Sequence, residues 1–151
     1  VKRVLKGVLP ILQAGLGAFW LYSGVTKVWS GFDARPFLQA TIEKAQAQSP
    51  AVLPFMGRIV SEIALPAEPF INIAIPWLEI VVALGFLVSV VDQRIRRPTL
   101  ALAGFLSVLF LACGAGGWNP FLLGVVLALA LAERTQTPKQ AAATPPTLAG
   151  T

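Results

Sequence analysis

Two charged side chains stand where charge is costly. Glu79 lies within FINIAIPWLEIVVALGFLVSVV and Lys27 near the end of GVLPILQAGLGAFWLYSGVTKVW, runs that are otherwise apolar. A charge at the centre of such a span costs about 2.5–3.5 kcal/mol on insertion scales, so it normally faces a bundle interior and has a partner. Glu79 therefore reads in two ways: as a ligand or proton site, or as a structural acid held by an ion pair or a hydrogen bond. Lys27 is its natural partner, because antiparallel packing of the two runs brings both to the same depth. The first run ends two residues beyond Lys27, so its long stem is expected to snorkel to the interface instead. Tyr22, Ser23 and Asn119 add polar groups at similar depth. With Glu79 they would line a small pocket opening outward between the first, second and fourth runs, where bundle sites form. Trp29, Trp77 and Trp118 fall at run ends in the pattern of an interfacial aromatic belt, although the same rings are able to stack on a quinone or isoprenoid ring.

Other chemistry is excluded by composition. There is no histidine, which removes a bis-imidazole haem and any His-bound copper, zinc or iron. The single cysteine, Cys113, makes no internal disulfide, CxxC pair, zinc knot or iron–sulfur cluster, and is expected to be packing. One methionine, Met56, leaves no thioether site. P-loop, GxSxG and HExxH patterns are absent. Electron chemistry would then require an organic cofactor such as quinone, not covalently bound, or a partner protein. Arg58 and Glu62, spaced i and i+4, read as an exposed helix pair.

The elements that must position these residues are helices in a membrane. Hydrophobic residues are 56% of the 151-residue chain and charged residues 13%, against roughly half and a quarter in soluble domains. A soluble fold of this composition would expose aggregating patches, whereas a bilayer demands it. The net charge of +5 comes in clusters beside apolar runs (Lys2, Arg3, Lys6; Arg94, Arg96, Arg97) and not along one groove. That is a topology signal and not a nucleic-acid surface.

The predicted fold is all-α: a polytopic four-helix transmembrane bundle over residues 1–134, with spans at about 7–29, 70–91, 99–115 and 118–133. The outer loop, 30–69, is expected to hold two short amphipathic helices at 33–48, with Asp33 as N-cap, and 51–65, bounded by Pro50, Pro54 and Pro66. Gly15, Ala18, Ser23 and Gly24 offer a close-packing face on the first span. Pro76 either kinks the second span or begins its regular part. The tail, 135–151, is expected to be disordered. Lys and Arg at the N-terminus, in the second-to-third turn and after the last span place both ends in the cytoplasm. The rival arrangement has three spans with the last run lying flat. The first run lacks a small-x-small cleavage site and is expected to be a retained helix.

The layout also carries a resemblance. GAFWLYSGVTKVWSGF, a loop with FLQA and several prolines, PWLEIVVALGFLVSV, a basic turn and NPFLLGVVLALAL together resemble the DoxX/DoxD-like integral membrane family, over roughly residues 11–133. The motifs are G-x-x-K, here Gly24 and Lys27, and W-x-E-x-x-x-x-L-G, here Trp77, Glu79, Leu84 and Gly85. The resemblance implies a four-helix protein of a bacterial or archaeal inner membrane. Some relatives are the membrane subunit of a thiosulfate:quinone oxidoreductase, and others are associated with thiol and sulfur stress. What it implies here is a quinone-binding or redox-partner-docking subunit linked to sulfur or thiol oxidation. Glu79 and Lys27 are the charged positions carried over, as a quinone site or a structural pair. The chain lacks the cysteine-rich stretch that some redox relatives have before the last helix. The alternative is a non-catalytic structural or assembly subunit of a membrane complex, whose partners are lipid and an assembly protein. A small-solute transporter is disfavoured because no inverted repeat is present.

Overall fold

The computed structural model describes residues 2–136, and these form helices joined by turns, with no strand among them. Helix α1 spans Lys2–Ser30 and α2 spans Arg35–Gln46. A short helix α3, Met56–Ile59, runs directly into a π-helical turn at Val60–Ala64. Then follow α4 (Glu68–Ser89), α5 (Arg96–Ala112) and α6 (Asn119–Gln136).

Several predicted boundaries move, each for a local reason. Asp33 does not cap α2: Ala34 holds that position, and Asp33 Oδ1 accepts the Arg35 N–H at 2.9 Å, one residue too early for a cap. The second amphipathic piece begins at Met56 and not at 51, because Ala51–Phe55 is taken up by turns around Pro54. Helix α5 stops at Ala112, ahead of the expected 115, where Gly114 takes a left-handed φ of 77° that ends the helix cheaply. Helix α6 carries through Gln136, past the predicted start of the tail at 135, and the remainder of that expected tail (137–151) lies outside the described residues.

Pro76 neither starts nor ends α4 but sits buried within it. Its place is explained by α1, which approaches there more closely than any side chain would permit. A Cβ on Gly24 would lie 2.9 Å from the Pro76 carbonyl oxygen and 2.7 Å from Ile80 Cγ1. One heptad earlier, a Cβ on Gly17 would lie 2.9 Å from Leu87 Cγ and 3.2 Å from the Ala83 oxygen. Higher numbers on α1 thus meet lower numbers on α4, and the two helices are antiparallel. Of the predicted small-residue face only Gly24 and Ser23 face α4; Gly15 and Ala18 point outward, and Gly17 does the close packing.

Helix α5 follows α4 through a short turn and returns beside it, with Thr99 set against Gly85. Helix α6 packs on α5, whereas α6 and α1 make no comparably close backbone approach. The main core joins Leu16 and Trp20 of α1, Val82 and Phe86 of α4, Leu106 of α5 and Val126 of α6. A second cluster, around Leu38, Val52, Met56, Val60 and Cys113, fastens the 34–65 segment over one end of the bundle as a cap.

Two helices are long and apolar enough to cross a bilayer: Gly7–Ser30, with mean hydropathy 1.4, and Glu68–Ser89, with 2.1. A core helix of a soluble protein would be mostly buried, but only 33% and 28% of these two windows are. The apolar part of α6, Asn119–Glu133, is shorter.

Candidate functional site: an aromatic chamber beneath the cap

The inner face of α1 reads Gln13, Leu16, Trp20, Ser23 and Lys27, spaced by three and four residues as one helix face requires. Because Gly24 lets α1 approach α4, the side chains beside it reach Glu79, less than a turn beyond Pro76. Ser23 Oγ donates to Glu79 Oε2 at 2.9 Å, and Lys27 Nζ forms an ion pair with Glu79 Oε1. The Glu79 side chain is 2% exposed and that of Lys27 28%.

Lys27 therefore does not snorkel outward. A carboxylate buried without a partner costs several kcal/mol, on the order of 3–5 when one member of a buried pair is removed. That penalty outweighs what the ammonium would gain from water at the end of the helix. Two rings face the same ammonium, Phe32 with its centroid at 5.4 Å and Phe110 at 6.0 Å. Each adds cation–π attraction, which is strongest where water is excluded.

This cluster forms one wall of a cavity of about 360 Å³. Phe19 and Trp20 from α1, Ile75 from α4, Phe110 from α5 and Leu122 from α6 supply apolar walls, while Phe32 and Phe37 form the roof. Trp118 and Asn119 complete it at the start of α6. The indole N–H of Trp20 is buried and has no hydrogen-bond acceptor among the described residues. An orphaned buried donor costs about 1–3 kcal/mol.

The predicted site residues divide. Glu79, Lys27 and Asn119 come together around the chamber, together with Ser23. Asn119 is largely committed to its own turn, its amide donating to the oxygens of Ala115 at 3.2 Å and Gly116 at 3.4 Å. Trp77 and Tyr22 stay outside, 56% and 73% exposed. Trp77 precedes Glu79 by two residues, which puts it on the far side of α4, and Tyr22 is rotated about 100° from Ser23, each by the helical repeat. Both rings, like Trp29, belong to the exposed surface. Arg58 and Glu62 form the expected exposed pair at 2.8 Å.

The roof is held by polar ties. Arg35 donates from Nε and Nη2 to Glu68 Oε2 at 2.9 and 2.7 Å, and Asn72 Nδ2 donates to Glu68 Oε1 at 2.6 Å. Asn72 Oδ1 in turn accepts the Ala34 N–H at 2.7 Å. The hydrogen bond to Glu68, and then the charge of that carboxylate, raise the Arg35 pKa further. On the other side, Thr41 Oγ1 donates to the Cys113 oxygen at 2.9 Å, and the Leu53 N–H to the Ala112 oxygen at 3.2 Å.

Sequence reasoning did not assign Trp20 to the chamber, nor Arg35, Glu68 and Asn72 to one network. It also passed over Gln13, which is 1% exposed with neither amide atom hydrogen-bonded among the described residues. The three-and-four spacing of Gln13, Trp20, Ser23 and Lys27 was the available signal, a polar stripe in an apolar helix. The chain matches no protein-family model, no curated protein and no solved structure.

Proposed function

We propose that the chain is a multi-pass inner-membrane protein of the DoxX-like kind, with four spans and both ends cytoplasmic, that binds a quinone in the chamber beneath the cap. Its apolar exterior supports the membrane setting. Phe70, Ile73, Phe105, Val108, Phe121 and Leu131 face outward, while Glu79 is buried and paired. A soluble fold seldom exposes so much large apolar surface. Helices α5 and α6 have 17 and 18 residues including their charged ends. With the apolar part of α6 confined to Asn119–Glu133, they would be short spans, below the usual lower limit of about 17 apolar residues. Arg94, Arg96 and Arg97 cluster at the turn between α4 and α5, and no Lys or Arg lies between Cys113 and Ala132, the asymmetry that orients such bundles.

The observation that carries the ligand reading is the aromatic-walled chamber itself, which also holds the Lys27 ammonium. A quinone ring is flat and apolar and has acceptor oxygens on opposite edges. It stacks against the aromatic walls with one oxygen approaching Lys27, which Glu79 and Phe110 hold in the chamber. The electron donor is then a sulfur compound or a redox protein that docks on the capped side.

A second reading rests on a specific observation. Glu79 is satisfied by Ser23 and Lys27 together, as a purely structural pair would be in a subunit that only assembles a complex. Titration of the protein in nanodiscs with 2,3-dimethoxy-5-methyl-1,4-benzoquinone, followed by tryptophan quenching, separates the two. Quinone binding predicts saturable quenching that is weakened tenfold or more in Glu79→Gln, where Lys27 is no longer anchored. Linear quenching, identical in both proteins, means partitioning into lipid and overturns the quinone reading in favour of the structural one.

A further inference from the structure

Helices α5 and α6 leave a groove of about 600 Å³ between them. Buried Leu100 and Val126 line it from below, and exposed Phe105 and Leu127 stand at its sides. Gly104 keeps the trough clear: within 4 Å, a Cβ there would meet only Val126 Cγ1, at 3.7 Å. One end is polar. There Arg97 of α5 donates from Nε to Glu133 Oε1 of α6 at 2.9 Å. The lining runs from Arg97 to Val108 on α5 and from Glu133 to Leu123 on α6, or about 16 and 15 Å at the helical rise. The hydrocarbon of one bilayer leaflet is about 15 Å deep, half of the whole core. The trough is thus as long as one leaflet is deep, and its charged end falls where headgroups lie.

Resting on the membrane part of the proposed function, and not on its quinone part, we propose that this groove binds an anionic phospholipid of the cytoplasmic leaflet. The phosphate sits on Arg97 and one acyl chain lies in the trough. Charge and length together name the occupant. Arg97 spends its Nε on Glu133, yet its side chain stays 70% exposed, and a guanidinium takes phosphate oxygens through paired N–H groups. Arg94 and Arg96 stand in the same turn, so three guanidinium groups face two carboxylates, Asp92 and Glu133. Each such cation near the surface strengthens attraction to an anionic headgroup. A zwitterionic lipid brings the same phosphate with a cation of its own, which that surplus repels. A helix from a second copy would fill the trough and leave the arginines without counter-charge. The apolar groove between α1 and α6 has no charged residue in its lining, so it offers a chain no such headgroup anchor. Moving a chain from lipid into an apolar groove gains little by itself. The trough therefore fixes where the chain lies, and the arginines decide which lipid supplies it.

The test places a reporter in the groove wall, Phe105→Trp, about 12 Å along α5 from Arg97. The full chain is reconstituted into liposomes of phosphatidylglycerol and phosphatidylcholine, with brominated oleoyl chains on one lipid or the other. Quenching of the unaltered protein, whose tryptophans all lie outside this groove, is subtracted. Phosphatidylglycerol is expected to quench the reporter with about fivefold higher relative affinity than phosphatidylcholine, the effect of one cation near the surface. Added to the reporter, Arg97→Gln should bring that ratio close to one, and Arg97→Lys should keep most of it. Gly104→Leu, which fills the trough and leaves the arginines in place, should also bring it close to one. Equal affinities of the two lipids for the reporter protein overturn the proposal. So does a preference that survives both Arg97→Gln and Gly104→Leu, which puts the attraction elsewhere on the chain. Quenching that falls as protein is concentrated in the bilayer assigns the groove to a second copy and overturns it as well. Failure of the protein to float with the liposomes overturns the membrane reading itself, whereas flotation without lipid preference removes only this site.

Discussion

Gly15 and Gly17 are two positions apart on the same helix and face opposite situations. Gly17 is pressed against Leu87 and the Ala83 carbonyl so tightly that a methyl group has no room, while a methyl group on Gly15 would touch nothing. The α4 side of α1 is closed, backbone nearly against backbone, and it holds the charged cluster in place. The α6 side is open, and a groove lined by Ile11, Gly15 and Val125 runs along it. Small residues in a membrane helix are commonly taken as packing surface. Here the same residue type does two different jobs, and the difference is decided by what stands across from it.

That contrast is breakable. The largest effect is expected from Lys27→Met, which leaves Glu79 buried with Ser23 alone and should cost roughly 3–5 kcal/mol; a denaturation midpoint in detergent reads it, and an unshifted midpoint would show that the ion pair does not hold the closed side. Gly24→Val comes next. It forces α1 away from the Pro76 carbonyl at an overpacking cost of about 1–3 kcal/mol, and a cysteine pair placed across α1 and α4 should cross-link less well in the variant. Thr41→Val lies away from both sides of α1 and removes the hydroxyl tie to Cys113, for about 1 kcal/mol; amide exchange should quicken in α2 and not in α1. The smallest effect has the opposite sign. Gly15→Ala should stabilise by about 0.5–1 kcal/mol, because it removes helix-interior glycine at no steric cost, whereas Gly17→Ala should destabilise. Equal responses at these two glycines would erase the distinction between the faces.

Much of this arrangement can be read from the sequence, for identifiable reasons. Helices α1 and α4 follow from long apolar runs, and Glu79 stands out in one of them because hydrocarbon makes a lone carboxylate expensive. The amphipathic α2 follows from its spacing of Leu38 and Ile42 against Glu43 and Lys44. The rotation of individual helices is less legible. Trp77 and Tyr22 sit beside Glu79 and Ser23 in sequence, and only the helical repeat with a fixed facing partner separates them by side. Lys27 was open in the sequence because snorkelling and pairing differ by a balance of energies that depends on how closely α1 approaches α4. That approach is set by Gly17 and Gly24, whose partners lie some sixty residues away. The Arg35–Glu68–Asn72 network was hidden for the same reason: its members come from separate elements, and none carries a local pattern.

The ties that secure the cap also impose an order in time. Thr41 and Cys113 are 72 positions apart, and the carbonyls of Ala112 and Cys113 that receive the cap belong to the end of α5. As the chain is made from its N-terminus at about 5–20 residues per second, the cap segment waits several seconds before its acceptors exist. During that interval α1 and α4 are able to pair and bury Glu79, but the roof of the chamber has nothing to fasten to on the α5 side. The pocket is thus finished only after α5 has been made. A translation pause shortly before Ala112 would lengthen the exposure of the cap's apolar face, and a quality-control protease would find its opening there.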